Sequence, residues 1–283
     1  MTVHWRKLAP ILILLLLFPG GAWGALPGIK AAMLVNLGTG KILYQRNPDL
    51  PVAPASLTKL MTMYLTLDAV RKKRISLNQK ILITPQAANA GGSAMRLAAG
   101  EKVPVVRLLA GMAVSSGNDA ATALAAHLGG TTAKFVSQMN AKASALGMKN
   151  TRFKNPTGLP AAGQKTTARD LMLLCKSYLK IHPDARRFHS MKFFMHKGAV
   201  ARNTNPLLGV VKGVDGLKTG WTVASGYNLI ITATSGKTRL LAIILGAQSK
   251  SARDEAAKKL IEAGFKNPAN SGAVTKAIDM GKS

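Results

Sequence analysis

The chain has 283 residues, of which 47% are hydrophobic and 5% aromatic, with 27 Gly and no low-complexity tract. That length supports a buried core in one large or two small domains, and the composition excludes an intrinsically disordered chain. Thirty-nine Lys and Arg stand against 11 Asp and Glu, a formal net charge of +28 that favours polyanionic partners.

The first segment reads as an export signal. Arg6 and Lys7 form a short basic region, Leu8 to Phe18 is an apolar run broken only by Pro10, and Pro19-Gly20-Gly21 ends any helix. Ala22-Trp23-Gly24 puts small residues at the two positions a signal peptidase reads, so residues 1–24 are expected to be removed. The run is well short of the about 20 apolar residues that a spanning helix needs. The mature chain is then exported to the periplasm or cell envelope, and loss of Arg6 and Lys7 leaves a net charge of +26. Export removes it from most nucleic acid, so anionic envelope polymers are the expected partners of that charge. Cys175 is the only cysteine. It sits in an apolar helical stretch and reads as a buried, inert thiol.

Along the chain, Ala31 to Arg46 predicts a hairpin turning at Gly38-Thr39-Gly40. Pro51 and Pro54 lead into a helix from near Ser56, whose Leu57, Leu60, Met61, Tyr64, Leu65 and Leu67 recur at helical spacing. Met61 and Met63 are expected in its core face. The basic run Arg71-Lys72-Lys73-Arg74 suits the C-terminal end of that helix. Glu101 to Ala113 predicts a second helix, with Pro104 in its first turn. Ser115-Ser116-Gly117-Asn118 interrupts the pattern, Asp119 to Leu128 resumes it, and Lys134 to Leu146 adds a further helix. Thr167 and Asp170 are spaced as a capping box for a helix running to about Lys180. His182, His189 and His196 recur every seven residues. No His-Glu-x-x-His pattern accompanies them, so they read as an exposed basic segment and no metal is expected. Tyr227 to Thr234 and Thr238 to Leu245 have strand length and flank a turn at Ser235-Gly236-Lys237. Ala252 to Gly264 predicts a helix that Gly264 ends. Strands at both ends with helices between them imply an α/β fold of the α+β type. Its antiparallel sheet is formed by the N- and C-terminal segments and packs against an inserted helical region. Residues 25–268 read as one domain, followed by a short tail over 269–283.

Three short motifs carry chemistry. In Ser56-Leu57-Thr58-Lys59, residues three apart share a helix face, so a hydroxyl and an ammonium group can meet. A free hydroxyl is a poor nucleophile and needs a base beside it, and lysine serves once burial or nearby cations lower its pKa. The second motif is Ser116-Gly117-Asn118, at a helix break. The third is Lys218-Thr219-Gly220, shortly before a strand, where a glycine lets a substrate backbone lie against the chain. Other copies of single spacings occur at Ser177 to Lys180 and at Ser76 to Asn78. Only Ser56, Ser116 and Lys218 complete the ordered set, which marks penicillin-binding proteins and class A β-lactamases.

On these residues the chain resembles the low-molecular-mass penicillin-binding proteins of the D-alanyl-D-alanine carboxypeptidase family. The matching segments begin with Pro54-Ala55-Ser56-Leu57-Thr58-Lys59-Leu60-Met61-Thr62 and Ser116-Gly117-Asn118-Asp119-Ala120-Ala121. Asn155-Pro156-Thr157-Gly158-Leu159, Val214-Asp215-Gly216-Leu217-Lys218-Thr219-Gly220 and Gly226-Tyr227-Asn228-Leu229 follow in order. The resemblance spans about residues 26 to 266. It implies the penicillin-binding/β-lactamase-like fold and a serine peptidase that needs no cofactor. Peptidoglycan stem peptides would be its substrates and β-lactams its covalent inhibitors. Ser56 would be acylated, Lys59 would be its general base, and Ser116 would relay a proton to the leaving amine. Asn118 would bind the substrate backbone or orient Lys59. Lys218 would set the electrostatics, and Thr219 would help bind the substrate carboxylate beside Gly220. The backbone N–H groups of Ser56 and Trp221 would form the oxyanion hole. Arg253 resembles the distal arginine that attracts the terminal carboxylate.

Several features depart from that pattern. Longer members carry a second, β-rich domain and an amphipathic anchor, and neither is expected between Phe265 and Ser283. Asn203-Thr204-Asn205 stands where carboxypeptidase relatives often have Asn-Arg-Asn, and short D,D-endopeptidases resemble the chain there. Trp221 replaces the more usual His or Tyr. A class A β-lactamase needs a glutamate past the middle motif, yet no acidic residue occurs from Ala120 to Arg169. The remaining alternative is an inactive basic wall-binding relative, although nothing visible in the motifs disables them.

Overall fold

Six consecutive buried residues open the fold as strand β1 (Ala31–Asn36), which turns back into β2 (Ile42–Arg46) as the sequence predicts. The structure, a computed structural model, describes residues 26–279, so the expected leader over 1–24 lies outside the described residues. After the hairpin, a 3-10 turn (Ala55–Thr58) runs directly into α1 (Lys59–Arg71). Then come β3 (Lys80–Leu82), α2 (Pro85–Ala88), β4 (Lys102–Pro104), α3 (Val105–Val114), α4 (Asn118–Gly129), α5 (Thr132–Ala145) and α6 (Ala168–Ile181). The order ends with α7 (Arg186–His189), β5 (Phe193–His196), β6 (Ala199–Arg202), β7 (Val214–Thr222), β8 (Gly226–Ser235), β9 (Thr238–Ala247), α8 (Lys250–Lys266) and α9 (Ser271–Asp279).

The main sheet has the order β2-β1-β9-β8-β7, and every pair is antiparallel. Chain ends therefore meet at β1 and β9, and the helices are inserted between them. Side chains alternate across a strand. Ala31, Met33, Val35, Leu241, Ile243 and Leu245 enter the core shared with the helical region. Their neighbours Ala32, Leu34, Leu240, Ala242 and Ile244 enter a second core with Leu260 and Ile261 of α8 and Val274 of α9. Both faces of the central strands are thus covered, which is why those strands read as near-continuous apolar runs. Helix α1 lies in the larger core, with Leu60, Met61, Met63 and Tyr64 at most 1% exposed. Strand β7, at the sheet edge, packs against the 3-10 turn at the entrance to α1.

Several local expectations are corrected. Glu101 to Pro104 is not helical: Lys102–Pro104 pairs with Lys80–Leu82 as β4, and α3 begins only at Val105. The residue before a proline is driven toward extended backbone, and that sterics outweighs the apolar spacing. Lys218-Thr219-Gly220 lies within β7 rather than ahead of a strand. Thr167 caps α6 by accepting from the Asp170 N–H, but the Asp170 carboxylate does not return the bond. It accepts instead from Asn150 N and Thr151 Oγ1. The three evenly spaced histidines are buried, not exposed, and each has its own neighbour. His182 meets Asp68 at 2.9 Å, His189 meets Tyr178 at 3.0 Å, and His196 meets Glu101 at 3.1 Å. The expected tail contains α9, whose Val274 and Ile278 are buried.

Gly264 does not end its helix but sits inside α8, where it lets the sheet approach. An added Cβ would stand 2.7 Å from Leu34 Cδ2 and 2.8 Å from Leu240 Cδ1. Gly264→Ala is therefore expected to cost about 1–3 kcal/mol by overpacking, despite alanine's better helix propensity. Urea unfolding measures this directly; an unchanged or higher midpoint would contradict the close packing.

Candidate active site

The site forms where β7 meets the entrance to α1. Ala55, at φ +47°, makes the sharp bend that precedes the half-buried Ser56. Non-glycine residues rarely hold that conformation, and such strain collects at functional positions. Gly220 of β7 lies against this bend, and a Cβ there would stand 3.1 Å from Ser56 N. The glycine thus permits the close approach of the edge strand to the serine.

Lys59, one turn on, is fully buried, and its Nζ lies 2.9 Å from Ser56 Oγ. It donates at 2.7 Å to the carbonyl oxygen of Thr157. That carbonyl is delivered by the Asn155–Leu159 turn. Asn155 Oδ1 accepts from Thr157 N, Thr157 Oγ1 and Gly158 N, and its Nδ2 donates to Leu159 O. Thr62 of α1 ties the same turn down by donating to Pro156 O at 2.7 Å. Gly158, at φ +86°, passes so close to Ala55 that no side chain fits there. The segment was visible in the sequence as a resemblance, but its task of holding the lysine was not.

Ser116 and Asn118 approach from the α3–α4 break. Ser116 has φ +61°, and its buried Oγ has no protein hydrogen-bond partner among the described residues. Asn118 Nδ2 donates to Gly91 O at 2.7 Å, while its Oδ1 is likewise unpartnered. Unpaired buried polar atoms are uncommon in native folds and call for a reason. Asp119, which no motif singled out as functional, is 1% exposed and accepts from Met95 N, Leu97 N and its neighbour Ala120 N. It fixes the 91–97 loop that Asn118 also grips, and its negative charge favours the protonated form of Lys59, against the effect of burial.

Lys218 of β7 is 1% exposed and donates to Thr219 O at 3.0 Å. Thr219 Oγ1 donates to Thr204 Oγ1 at 2.7 Å. Thr204 and Thr219 line an open cleft of about 630 Å³ together with Ser56, Ser116, Gly220, Trp221 and Arg253. Trp221 is 54% exposed and leans on Tyr227, with ring centroids 5.8 Å apart. Arg253 lies in the first turn of α8 and donates from Nε to Asp254 Oδ1 at 2.7 Å. All nine site residues expected from the sequence therefore converge: six line the cleft, and Lys59, Asn118 and Lys218 are buried outside its lining.

Burial pushes the Lys59 pKa well below its ordinary value, and the charge of Lys218 acts in the same direction. Burial, then Arg253, pushes Lys218 down to about 7. The two buried lysines compete for protons, and burial favours the free amine at each.

A half-buried serine beside a buried lysine, a second serine and a lysine on a sheet edge make the set of groups that serine acyl transfer would require. The chain belongs to the peptidase S11 family: a family model described as D-alanyl-D-alanine carboxypeptidase matches residues 28–249. The D-alanyl-D-alanine carboxypeptidase DacF of Bacillus subtilis is 38% identical over 240 residues, covering 83% of this chain and 62% of the relative. A D-alanyl-D-alanine endopeptidase of Pseudomonas aeruginosa is 34% identical over 227 residues, covering 78% and 72% of the two chains. Penicillin-binding protein 6B of Escherichia coli superposes with a TM-score of 0.80 at 38% identity, over 85% of this chain and 78% of that one. Penicillin-binding protein D2 of Listeria monocytogenes, in its ampicillin-bound form, superposes with a TM-score of 0.74 at 34% identity, over 84% and 97%. The chain spans about three fifths of the length of the first curated carboxypeptidases it matches. The penicillin-binding fold expected from the sequence is the fold observed.

The depressed Lys218 has a consequence for stability. Its folded pKa of about 7 lies below the ordinary lysine value of about 10.4. Between those values the unfolded chain binds more protons, so this group makes stability rise with pH, and its cost is fully present below pH 7. Lys218→Met is expected to stabilise the fold by on the order of 2 kcal/mol at pH 7, with the gain vanishing near pH 10. Thermal unfolding at the two pH values checks this; a variant less stable at pH 7 would show that Lys218 is structurally required.

Proposed function

We propose that the protein is a serine D,D-carboxypeptidase that removes the terminal D-Ala from peptidoglycan stem peptides through an ester on Ser56. The observation that carries the reading is the 2.9 Å contact between Ser56 Oγ and a fully buried Lys59 Nζ. Lys59 as free amine takes the Ser56 proton while Oγ attacks the carbonyl carbon of the penultimate D-Ala. The oxyanion is received by the backbone N–H groups of Ser56 and Trp221, a pairing supported by the close approach of Gly220 to Ser56. As the C–N bond breaks, the proton passes from Lys59 through Ser116 to the leaving amine of D-Ala. Water then attacks the ester with Lys59 again as base, and Ser56 Oγ recovers its proton. Asn118, Thr219 and Gly220 bind the substrate backbone and carboxylate, while Lys218 and Arg253 supply positive charge. A β-lactam is expected to acylate Ser56, because its strained amide stands in for the scissile bond.

The same reading places the chain outside the cytoplasm, after loss of residues 1–24, in the periplasm or cell envelope. The net charge of +26 left after that loss supports adhesion to anionic envelope polymers. That adhesion should weaken steeply as salt rises. A second reading, cleavage of peptidoglycan crosslinks, is favoured by the likeness to the Pseudomonas endopeptidase. Ser56 chemistry is the same in both, and only the leaving amine differs.

Labelling with a fluorescent penicillin, with Ser56→Ala as control, tests the acyl-enzyme. Labelling that the substitution abolishes, with D-Ala released from a pentapeptide, is the expected result. D-Ala release far slower than crosslink cleavage would favour the second reading, and no labelling of the unsubstituted protein would favour an inactive wall-binding relative.

A further inference from the structure

His189 belongs to none of the motifs above, yet it lies against the strand that carries Lys218. It is fully buried at the end of α7. Its Nδ1 is 3.0 Å from the Leu217 carbonyl oxygen, and its Nε2 is 3.0 Å from the Tyr178 hydroxyl of α6. A carbonyl only accepts, so Nδ1 must carry the proton, and Nε2 is left to accept from Tyr178. The Tyr178 ring meets the imidazole edge-on, with centroids 5.7 Å apart and planes at 84°.

Neighbouring contacts make this more than core packing. Strand β7 has a sheet neighbour on one side only. Over Gly216 to Thr219, side chains from outside the sheet hold it. Asn205 Nδ2 donates to Gly216 O at 3.3 Å, His189 Nδ1 to Leu217 O, and Thr219 Oγ1 to Thr204 Oγ1. Asn203 Nδ2 in turn donates to the His189 carbonyl oxygen at 3.2 Å, binding the two supports together. Lys218 is therefore bracketed on both sides by such supports, of which His189 and Asn205 do not line the cleft.

The clamp requires a neutral imidazole. A second proton would leave the Tyr178 hydroxyl without its acceptor and set a cation against Lys218. The titratable groups facing His189 are Tyr178 from α6 and Lys218 and Asp215 from β7. Burial pushes the imidazole down to about 4, with the charge of Lys218 also lowering it against the pull of Leu217 O and Asp215.

We propose that His189 is a positioning residue for the Ser56 site, clamped between the Tyr178 hydroxyl and the Leu217 carbonyl so that the β7 backbone aims Lys218 at the reacting centre. The inference rests on the acyl-transfer reading of that site. The test compares His189→Leu, which has no donor, with His189→Asn, whose amide can present an N–H where Nδ1 stood. The second-order rate of acylation by a fluorescent penicillin is measured from pH 5 to 9. His189→Leu should lose on the order of 10- to 100-fold in rate, as small misplacements at active sites do. The limb of the profile set by Lys218 should shift with it. His189→Asn should recover most of the rate and the original profile.

Equal loss in both variants with unchanged profiles would overturn the proposal, because a merely space-filling residue behaves that way. So would a wild-type rate and profile in His189→Leu. Should His189→Leu fail to fold, Tyr178→Phe removes the other half of the clamp. A several-fold loss with the same shift supports the proposal, and no change overturns it. Unsubstituted protein that takes up no penicillin would overturn the site reading and this inference together. A labelled wild type with unaffected clamp variants would overturn the inference alone.

Discussion

Everything at the candidate site depends on one lysine amine held in a dry place next to one hydroxyl. In water Lys59 would be an ammonium ion and no base at all. Complete burial and the charge of Lys218 push it toward the free amine. The same burial would be wasted if the amine could swing away, and the Thr157 carbonyl prevents that by accepting one of its hydrogens. In the proposed reaction the apolar core around α1 is therefore part of the chemical machinery, because it biases the protonation state of the group proposed to activate Ser56.

The fold meets this demand by bringing three distant stretches to one helix end. The 3-10 turn presents Ser56, the Asn155–Leu159 turn anchors Lys59, and the edge strand β7 brings Lys218 and Gly220. Each approach is close enough to demand a special residue: Ala55 in the left-handed region, Gly158 with no room for a side chain, and Gly220 against Ser56 N. Two buried lysines and a strained turn cost folding free energy. Two apolar cores on opposite faces of the sheet offset that cost. The arrangement is one in which function and stability oppose each other locally and are reconciled globally.

Much of this was legible in the residues. The ordered motifs named Ser56, Lys59, Ser116, Asn118 and the Lys218 segment; the Ser56–Lys59 contact follows from local helical spacing, whereas the fold brings the other segments to it. Terminal hairpins also announced a sheet shared by the two chain ends. What could not be read was what depends on long-range partners. Asp119 and Asn155 are polar residues like many others until their backbone partners are seen. The regular spacing of His182, His189 and His196 suggested a single exposed segment, whereas each side chain is buried against a different partner. Gly264 looked like a helix stop, because sequence carries no sign of the sheet that presses on it. Glu101 to Pro104 shows a local conflict, in which the steric rule at proline defeats an apolar period.

The central claim is that Lys59 is a neutral amine at physiological pH. Lysines labelled with carbon-13 at Cε report protonation through their chemical shift, and Lys59→Met identifies the resonance of interest. The account predicts a Lys59 signal already in its free-amine position at pH 7, titrating far below the bulk of the lysines. A Lys59 signal that moves only near pH 10 with the surface lysines would contradict it, and Ser56 would then need another base.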